Sequence, residues 1–145
     1  MPDRVALDFK KSTADGVDYL TYIAWDSFAG EPYERGAGIV LDSSYRVVKN
    51  ISVSDADGMR LDVHEFSLTD NGRSALFIVF KTIQTLIGAA SPDQEGRKIP
   101  ISEREVREID IASMETTFWW SGNAHIPPYE TTLPMPENDE AWDYL

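Results

Sequence analysis

The chain has 145 residues, of which 42% are hydrophobic and 11% aromatic, enough for one globular domain and too aromatic for a disordered protein. Its formal net charge of −12 argues against partners such as nucleic acid or an anionic membrane surface. Cysteine is absent, which excludes disulfides, thiolate metal sites and cysteine nucleophiles within these residues.

Strand-like segments recur along the chain, each rich in aromatic and β-branched residues and bounded by turn-forming residues. They predict seven short strands: residues 18–25, 38–41, 45–53, 63–68, 74–80, 106–111 and 116–120. The short turns between them, without strand–helix–strand spacing, favour an all-β antiparallel meander. Before the first strand, the polar segment 1–17 contains Lys10–Thr13 and Asp15-Gly16, which predict a loop or turn.

Two segments are predicted to be mainly irregular. Residues 81–103 contain two glycines and two prolines, and we expect at most a helical turn at Ile83–Ile87. Residues 121–145 carry four prolines and an acidic run, which restricts them to a short element at most. We therefore predict a polar segment (1–17), a β-meander (18–120) with units at about 18–53 and 62–120, and a Pro-rich acidic segment (121–145).

The segment 63–80 predicts a central β-hairpin. Its first half alternates, so that His64 shares one face with Phe66 and Leu68. Asp70-Asn71-Gly72 supplies residues that tolerate a tight reversal, and an unbroken apolar run follows as a buried strand. We expect this hairpin to pair antiparallel, with His64 near an open rim. We expect residues 106–111 to continue the sheet and residues 116–120 to lie outermost.

His64 and His125 are the two histidines of the chain, and each has two interpretations. His64 is either a histidine packed in the sheet and bonded to a carboxylate such as Asp62 or Glu65, or a nucleophile or acid–base group, because imidazole titrates near neutral pH. His125 lies in a Pro-rich loop after a strand, which is either a position suited to a site or simply an exposed loop.

Other features carry less chemistry. Trp25, Trp119 and Trp120 could stack a planar ligand, but aromatic residues in strands are more often core, and we predict core.

No phosphate-binding loop or metal-ligand spacing is present, so we expect no cofactor and no metal. No apolar run of about 18 residues predicts a membrane span. The start Met-Pro-Asp-Arg lacks the apolar region of a signal peptide and, as written, points to the cytoplasm.

Four blocks, in order, resemble the arylsulfotransferase β-propeller proteins, particularly the fungal members. They are residues 36–48, 62–72, 107–111 and 141–144, and they extend over most of the chain from residue 18 onward. The resemblance implies that the chain forms about two blades of an incomplete, six-bladed propeller. It also implies that His64 lines the central funnel as a helper, and that His125 falls where fungal members have Asp-His-Val, although Ala124 replaces the Asp.

The resemblance further implies an activity and a reason for its absence. Full-length members transfer a sulfuryl group from an aryl sulfate to a phenol through a sulfated histidine, so a small aromatic sulfate or phenol is expected as partner only in a complete propeller. Members continue beyond Trp-Asp-Tyr into Phe-His-x-Asn-Ser, where this chain stops at Leu145. Residues 101–104 also depart from the apolar, aspartate-bearing segment of the family. We expect a fragment that is inactive alone.

Two alternatives remain open. The chain could be a non-catalytic β-sheet interaction module that associates with itself or another chain through exposed strand edges. It could also be a truncated gene product without an independent role. The compartment stays open as well, since family members with signal peptides point to secretion.

Overall fold

The computed structural model describes residues 3–27, 35–52, 58–87, 97–137 and 140–143. This part of the chain forms eight strands: β1 (Asp3–Ala14), β2 (Val17–Ser27), β3 (Arg35–Leu41), β4 (Val47–Ser52), β5 (Arg60–Thr69), β6 (Ser74–Ile87), β7 (Arg97–Asp110) and β8 (Thr116–Ser121). Sheet 1 has the order β1-β2-β3-β4 and sheet 2 the order β5-β6-β7-β8, with every neighbouring pair antiparallel. The prediction of an all-β antiparallel meander is confirmed.

The two sheets share one apolar core, because β5 packs across β1, β2 and β3. The ring of Phe66 is fully buried and lies against the backbone of Gly38, where an added Cβ atom would come within 2.2 Å of the ring. Glycine at this position of β3 therefore makes room for a fully buried aromatic ring. The buried members of the core are Ile23, Val40, Ile51, Met59, Leu61, Phe66, Ala75, Phe77, Val79 and Ile109.

Sheet 1 begins earlier than predicted. The loop predicted at Lys10–Thr13 was wrong, because these residues belong to β1 and pair with β2. Polar side chains are compatible with an edge strand, whose backbone hydrogen bonds are made on one side and whose outer face meets water. The predicted turn at Asp15-Gly16 is confirmed, and both residues have positive φ, 49° and 74°.

Sheet 2 is also longer than predicted. Residues 81–87 extend β6 and residues 97–103 belong to β7, so the predicted loop and helical turn were wrong there. The apolar residues Ile99 and Ile101 are buried in a second cluster, which explains why this segment is strand despite Pro100. β8 pairs only with residues 105–109 of β7, so β7 has no β8 neighbour at Pro100. Proline is tolerated where a strand lies at the edge of a sheet. Residues 88–96 and Val53 lie outside the described residues.

The predicted central hairpin is confirmed in its pairing and its turn. The turn Asp70–Gly72 is a single 3₁₀ turn in which all three residues have positive φ. Gly72 has φ +83°, and an added Cβ there would come within 2.5 Å of Ala14, so the turn packs against the end of β1. As predicted, residues 106–111 lie beside β6, and β8 is the outermost strand of the sheet.

After β8 the chain contains only short elements among its described residues. They are the helix α1 (Gly122–His125), a 3₁₀ turn at Pro128–Glu130 and an isolated bridge between Trp142 and Ile101. No helix in the described ranges is long and apolar enough to cross a membrane. The core assignment of the tryptophans was wrong for Trp119, whose exposed fraction is 61% on the outermost strand β8, while Trp25 and Trp120 are only partly buried.

Candidate functional site

His64 is exposed because β5 bulges around it. Residues 62–65 lie between two regularly paired stretches of β5 and face a single residue of β6, Ile78. The side chain of His64 is 75% exposed, whereas Phe66 is fully buried and Leu68 is half-buried. His64 is therefore exposed and not enclosed in the middle of the sheet, while its predicted place near an open rim stays a prediction. The expectation that it shares the apolar face of Phe66 was wrong, because the bulge interrupts the alternation.

Asp62 holds the imidazole of His64. Its Oδ1 atom lies 2.6 Å from Nδ1 of the ring and also accepts the backbone N–H of His64 at 2.8 Å. The Asp62 side chain is only 4% exposed. Burial opposes its ionisation, yet the hydrogen bonds from His64 and from Arg104 outweigh burial, and the pKa of Asp62 lies below its ordinary value. Asp62 is therefore a buried carboxylate that is kept ionised by its partners.

Arg104 of β7 neutralises the second oxygen of Asp62. Its Nη1 donates to Oδ2 of Asp62, while its Nε and Nη2 donate to the two oxygens of Asp143 at 3.0 Å and 2.5 Å. The guanidinium also lies over the ring of Phe80, 5.8 Å from its centroid. The result is a continuous chain of contacts from the exposed ring of His64, through Asp62 and Arg104, to Asp143.

A second ion-pair cluster supports the other side of the bulge. Lys10 of β1 contacts Glu65 at 2.6 Å and Asp8 at 2.9 Å, and Asp8 accepts the backbone N–H of Phe66 at 2.7 Å. The hydrogen bond from Lys10, together with one from Ser67, lowers the pKa of Glu65. These contacts connect the edge strands of the two sheets at the residues that directly follow His64.

His125 is not brought to His64 by any hydrogen bond, ion pair or ring contact of the described residues. It lies in α1, where its Nδ1 is 2.8 Å from the carbonyl oxygen of Ser121 and its ring stacks on Trp120 at a centroid distance of 5.2 Å. This environment is that of an exposed histidine packed on an aromatic ring. We therefore place His125 outside the candidate site.

A cavity of about 500 Å³ lies on the outer face of sheet 2. Its floor is formed by one row of side chains across three strands (Ile78, Val106 and Trp120), and residues 122–132 cover one side. Arg104 contributes to its lining, whereas His64 does not. This cavity is thus a neighbour of the contact chain and not part of the exposed position of His64.

The arrangement at His64 defines the chemistry that the ring can perform. An ionised carboxylate can only accept, so Nδ1 carries a proton in both the neutral and the charged ring. Nε2 has no hydrogen bond to any described residue, and the side chain that carries it is 75% exposed. It can act as a base or nucleophile in the neutral ring and as a hydrogen-bond donor in the charged ring. No group of three potential metal ligands occurs among the described residues.

Sequence reasoning found part of this site. The sequence offers Asp62 and Glu65 as carboxylates close to His64 in the chain; Asp62 is the one that contacts its ring, whereas Glu65 pairs with Lys10. Arg104 and Asp143 were not recognised, because they are separated from their partners by 42 and 39 residues along the chain and no local pattern marks them.

Comparison of the chain with protein-family models, with curated proteins and with solved structures gave no match.

Proposed function

We propose that the chain is an arylsulfotransferase-like domain that supplies two adjacent blades of a β-propeller, in which His64 contacts the sulfuryl group of an aryl sulfate. The observation that carries this proposal is the exposed imidazole, held at Nδ1 by a buried carboxylate and with Nε2 bonded to none of the described residues. In-line sulfuryl transfer needs hydrogen-bond donors for the sulfonate oxygens, and the charged ring offers one at Nε2.

The sheet topology supports the propeller part of the proposal. Each sheet is a four-stranded antiparallel meander whose strands are in sequence order, which is the composition of one blade. The first strands of the two sheets, β1 and β5, contact each other, as the inner strands of neighbouring blades do around a central funnel. In the proposed propeller His64, which lies on β5, would belong to the inner strand of the second blade.

The proposed role of His64 is tested by titrating the ¹⁵N-labelled chain with 4-nitrophenyl sulfate and following both histidine rings by NMR. We expect the ring resonances of His64 to shift with ligand concentration, while those of His125 stay unchanged and serve as the internal control. Titration with 4-nitrophenol, which lacks the sulfate, should leave His64 unaffected. A His64 ring that does not respond to the sulfate ester would contradict the proposal.

Turnover gives a second test. We expect no transfer of sulfate from 4-nitrophenyl sulfate to a phenol by the 145-residue chain, because the family block Phe-His-x-Asn-Ser, which carries downstream site residues, is not among its residues. The assay follows released 4-nitrophenol in the presence and absence of acceptor. Turnover that is abolished in a His64→Ala variant would show that these residues suffice, and would overturn the helper role.

A non-catalytic interaction module is the second candidate, and one observation favours it. The edge strand β8 carries Phe118 and Trp119, both about half-exposed or more, on a side with no further strand among the described residues. Exposed aromatic edge strands pair readily with other chains. Self-association through β8 is therefore its expected signature.

A further inference from the structure

We propose that Asp62, Arg104 and Asp143 are positioning residues that hold the His64 ring in a single tautomer, so that the seating of residues 140–143 on β7 determines the orientation of His64. This inference deepens the proposed function and rests on it for the importance of His64. It concerns how the ring is held, and its test requires no ligand.

The first step is the double contact between Asp62 and His64. One oxygen of Asp62 accepts both the backbone N–H and Nδ1 of His64, so the carboxylate lies between the peptide and the ring and restricts the rotation of the side chain. Because the pKa of Asp62 is lowered, the carboxylate is an acceptor over the neutral range, and Nδ1 must be the protonated nitrogen. The open nitrogen is then always Nε2.

The second step is the fixation of Asp62 itself. Its other oxygen accepts from Arg104, whose remaining donors form a bidentate pair with Asp143. The peptide N–H of Arg104 donates to Oδ1 of Asn123 at 3.0 Å, which holds its backbone, and Phe80 lies beneath its guanidinium. A carboxylate whose two oxygens both accept from fixed donors has a single orientation. The hydrogen bond from Nδ1 then fixes the orientation of the His64 ring relative to this carboxylate.

The third step connects this network to the segment 140–143. Trp142 is 8% exposed and packs with Ile99 and Ile101, and its peptide group makes two backbone hydrogen bonds to β7, of 2.9 Å to Pro100 and 3.0 Å to Ser102. Asp143 follows directly, so seating of Trp142 brings its carboxylate to Arg104. Displacement of the segment would remove one of the two carboxylates of Arg104 and free the guanidinium to move.

The test is the tautomeric state of His64, read from long-range ¹H–¹⁵N spectra of the intact chain above the pH at which the rings are charged. In the unmodified chain we expect one His64 tautomer, with Nδ1 protonated and Nε2 unprotonated. In Asp62→Asn, whose amide can donate to Nδ1, we expect the two ¹⁵N resonances of His64 to move toward each other as the tautomers mix. Asp143→Asn should produce the same change to a smaller extent.

Asp42→Asn is the matched control, because Asp42 is also an aspartate engaged by backbone N–H groups and an arginine, but in the turn before β4. It should leave His64 unchanged, and His125 should be unchanged in every variant. An unmodified His64 with its proton on Nε2 overturns the proposal even if Asp62→Asn fails to fold. Unchanged His64 resonances in Asp143→Asn overturn the role of the segment 140–143.

The two proposals fail separately. A single Nδ1–H tautomer that mixes in the variants, together with a His64 ring that ignores 4-nitrophenyl sulfate, would retain the positioning network and reject the sulfuryl role. A His64 ring that responds to the sulfate ester, but whose tautomer is unchanged in the variants, would retain the sulfuryl role and reject the positioning network.

Discussion

At the scale of single residues, the buried carboxylate of Asp62 is the group on which the candidate site depends. Its pKa is lowered in the folded protein relative to about 4 in the unfolded chain, so its ionised form stabilises the fold above that pH, and this stabilisation is lost as the pH falls toward the folded pKa. We predict that Asp62→Asn lowers the free energy of unfolding at neutral pH by about 2 kcal/mol, measured by urea denaturation.

The same variant should flatten the loss of stability below about pH 4, because the titrating group is gone. Glu115→Gln, which changes an exposed side chain in the turn between β7 and β8, is the control and should change the free energy of unfolding by less than about 0.5 kcal/mol. An Asp62→Asn variant with the unmodified acid-unfolding profile would contradict the assignment of Asp62 as a buried, ionised acceptor.

At the scale of elements, the contact between β3 and β5 decides how closely the two sheets approach. The Phe66 ring occupies the space that a side chain at position 38 would need. We predict that Gly38→Ala lowers the free energy of unfolding by about 1–3 kcal/mol, because a methyl group within 2.2 Å of the ring forces the strands apart or the ring from its rotamer. Chemical denaturation monitored by circular dichroism measures this loss.

A double-mutant cycle separates this clash from a general loss of strand stability. In the Gly38→Ala background, Phe66→Leu should cost less than it does in the unmodified chain, since the smaller side chain relieves the clash. Gly36→Ala, whose added methyl would lie 3.2 Å from the Cβ of Leu61, should be milder than Gly38→Ala. If the losses of unfolding free energy from Gly38→Ala and Phe66→Leu were additive, the Phe66 ring and a side chain at position 38 would not compete for the same space.

At the scale of the whole molecule, net charge opposes self-association and exposed apolar surface favours it. The net charge of −12 keeps copies apart at low salt, while the exposed Phe118 and Trp119 on β8, the outermost described strand of sheet 2, favour association. We predict that the molar mass from size-exclusion chromatography with light scattering increases at high salt, which screens the repulsion, and that Trp119→Lys suppresses the increase.

The matched control is Leu133→Lys, since Leu133 is similarly exposed but lies outside β8. It should associate as the unmodified chain does. A monomer at all concentrations in both salts would argue against the interaction-module candidate and leave the edge of β8 without a role.

The sequence by itself determined the fold class and the central hairpin. Strand segments such as 18–25 and 75–80, and the turn at Asp70–Gly72, follow from local preferences: β-branched and aromatic side chains favour strands, and Asp, Asn and Gly tolerate positive φ. It also indicated His64 as the candidate residue and Asp62 as its possible partner. All of these features depend on residues that are close together in the chain, and such local patterns can be recognised in a single sequence.

Only the tertiary structure decided the rest. Polar residues 10–13 became strand because β2 lies beside them, and residues 97–103 became strand because β6 and Trp142 cover them. The bulge that exposes His64 depends on how β5 fits between β6 and sheet 1. Arg104 and Asp143 enter the site through contacts between residues far apart in the chain. Such contacts arise from the packing of whole strands, which no local pattern encodes.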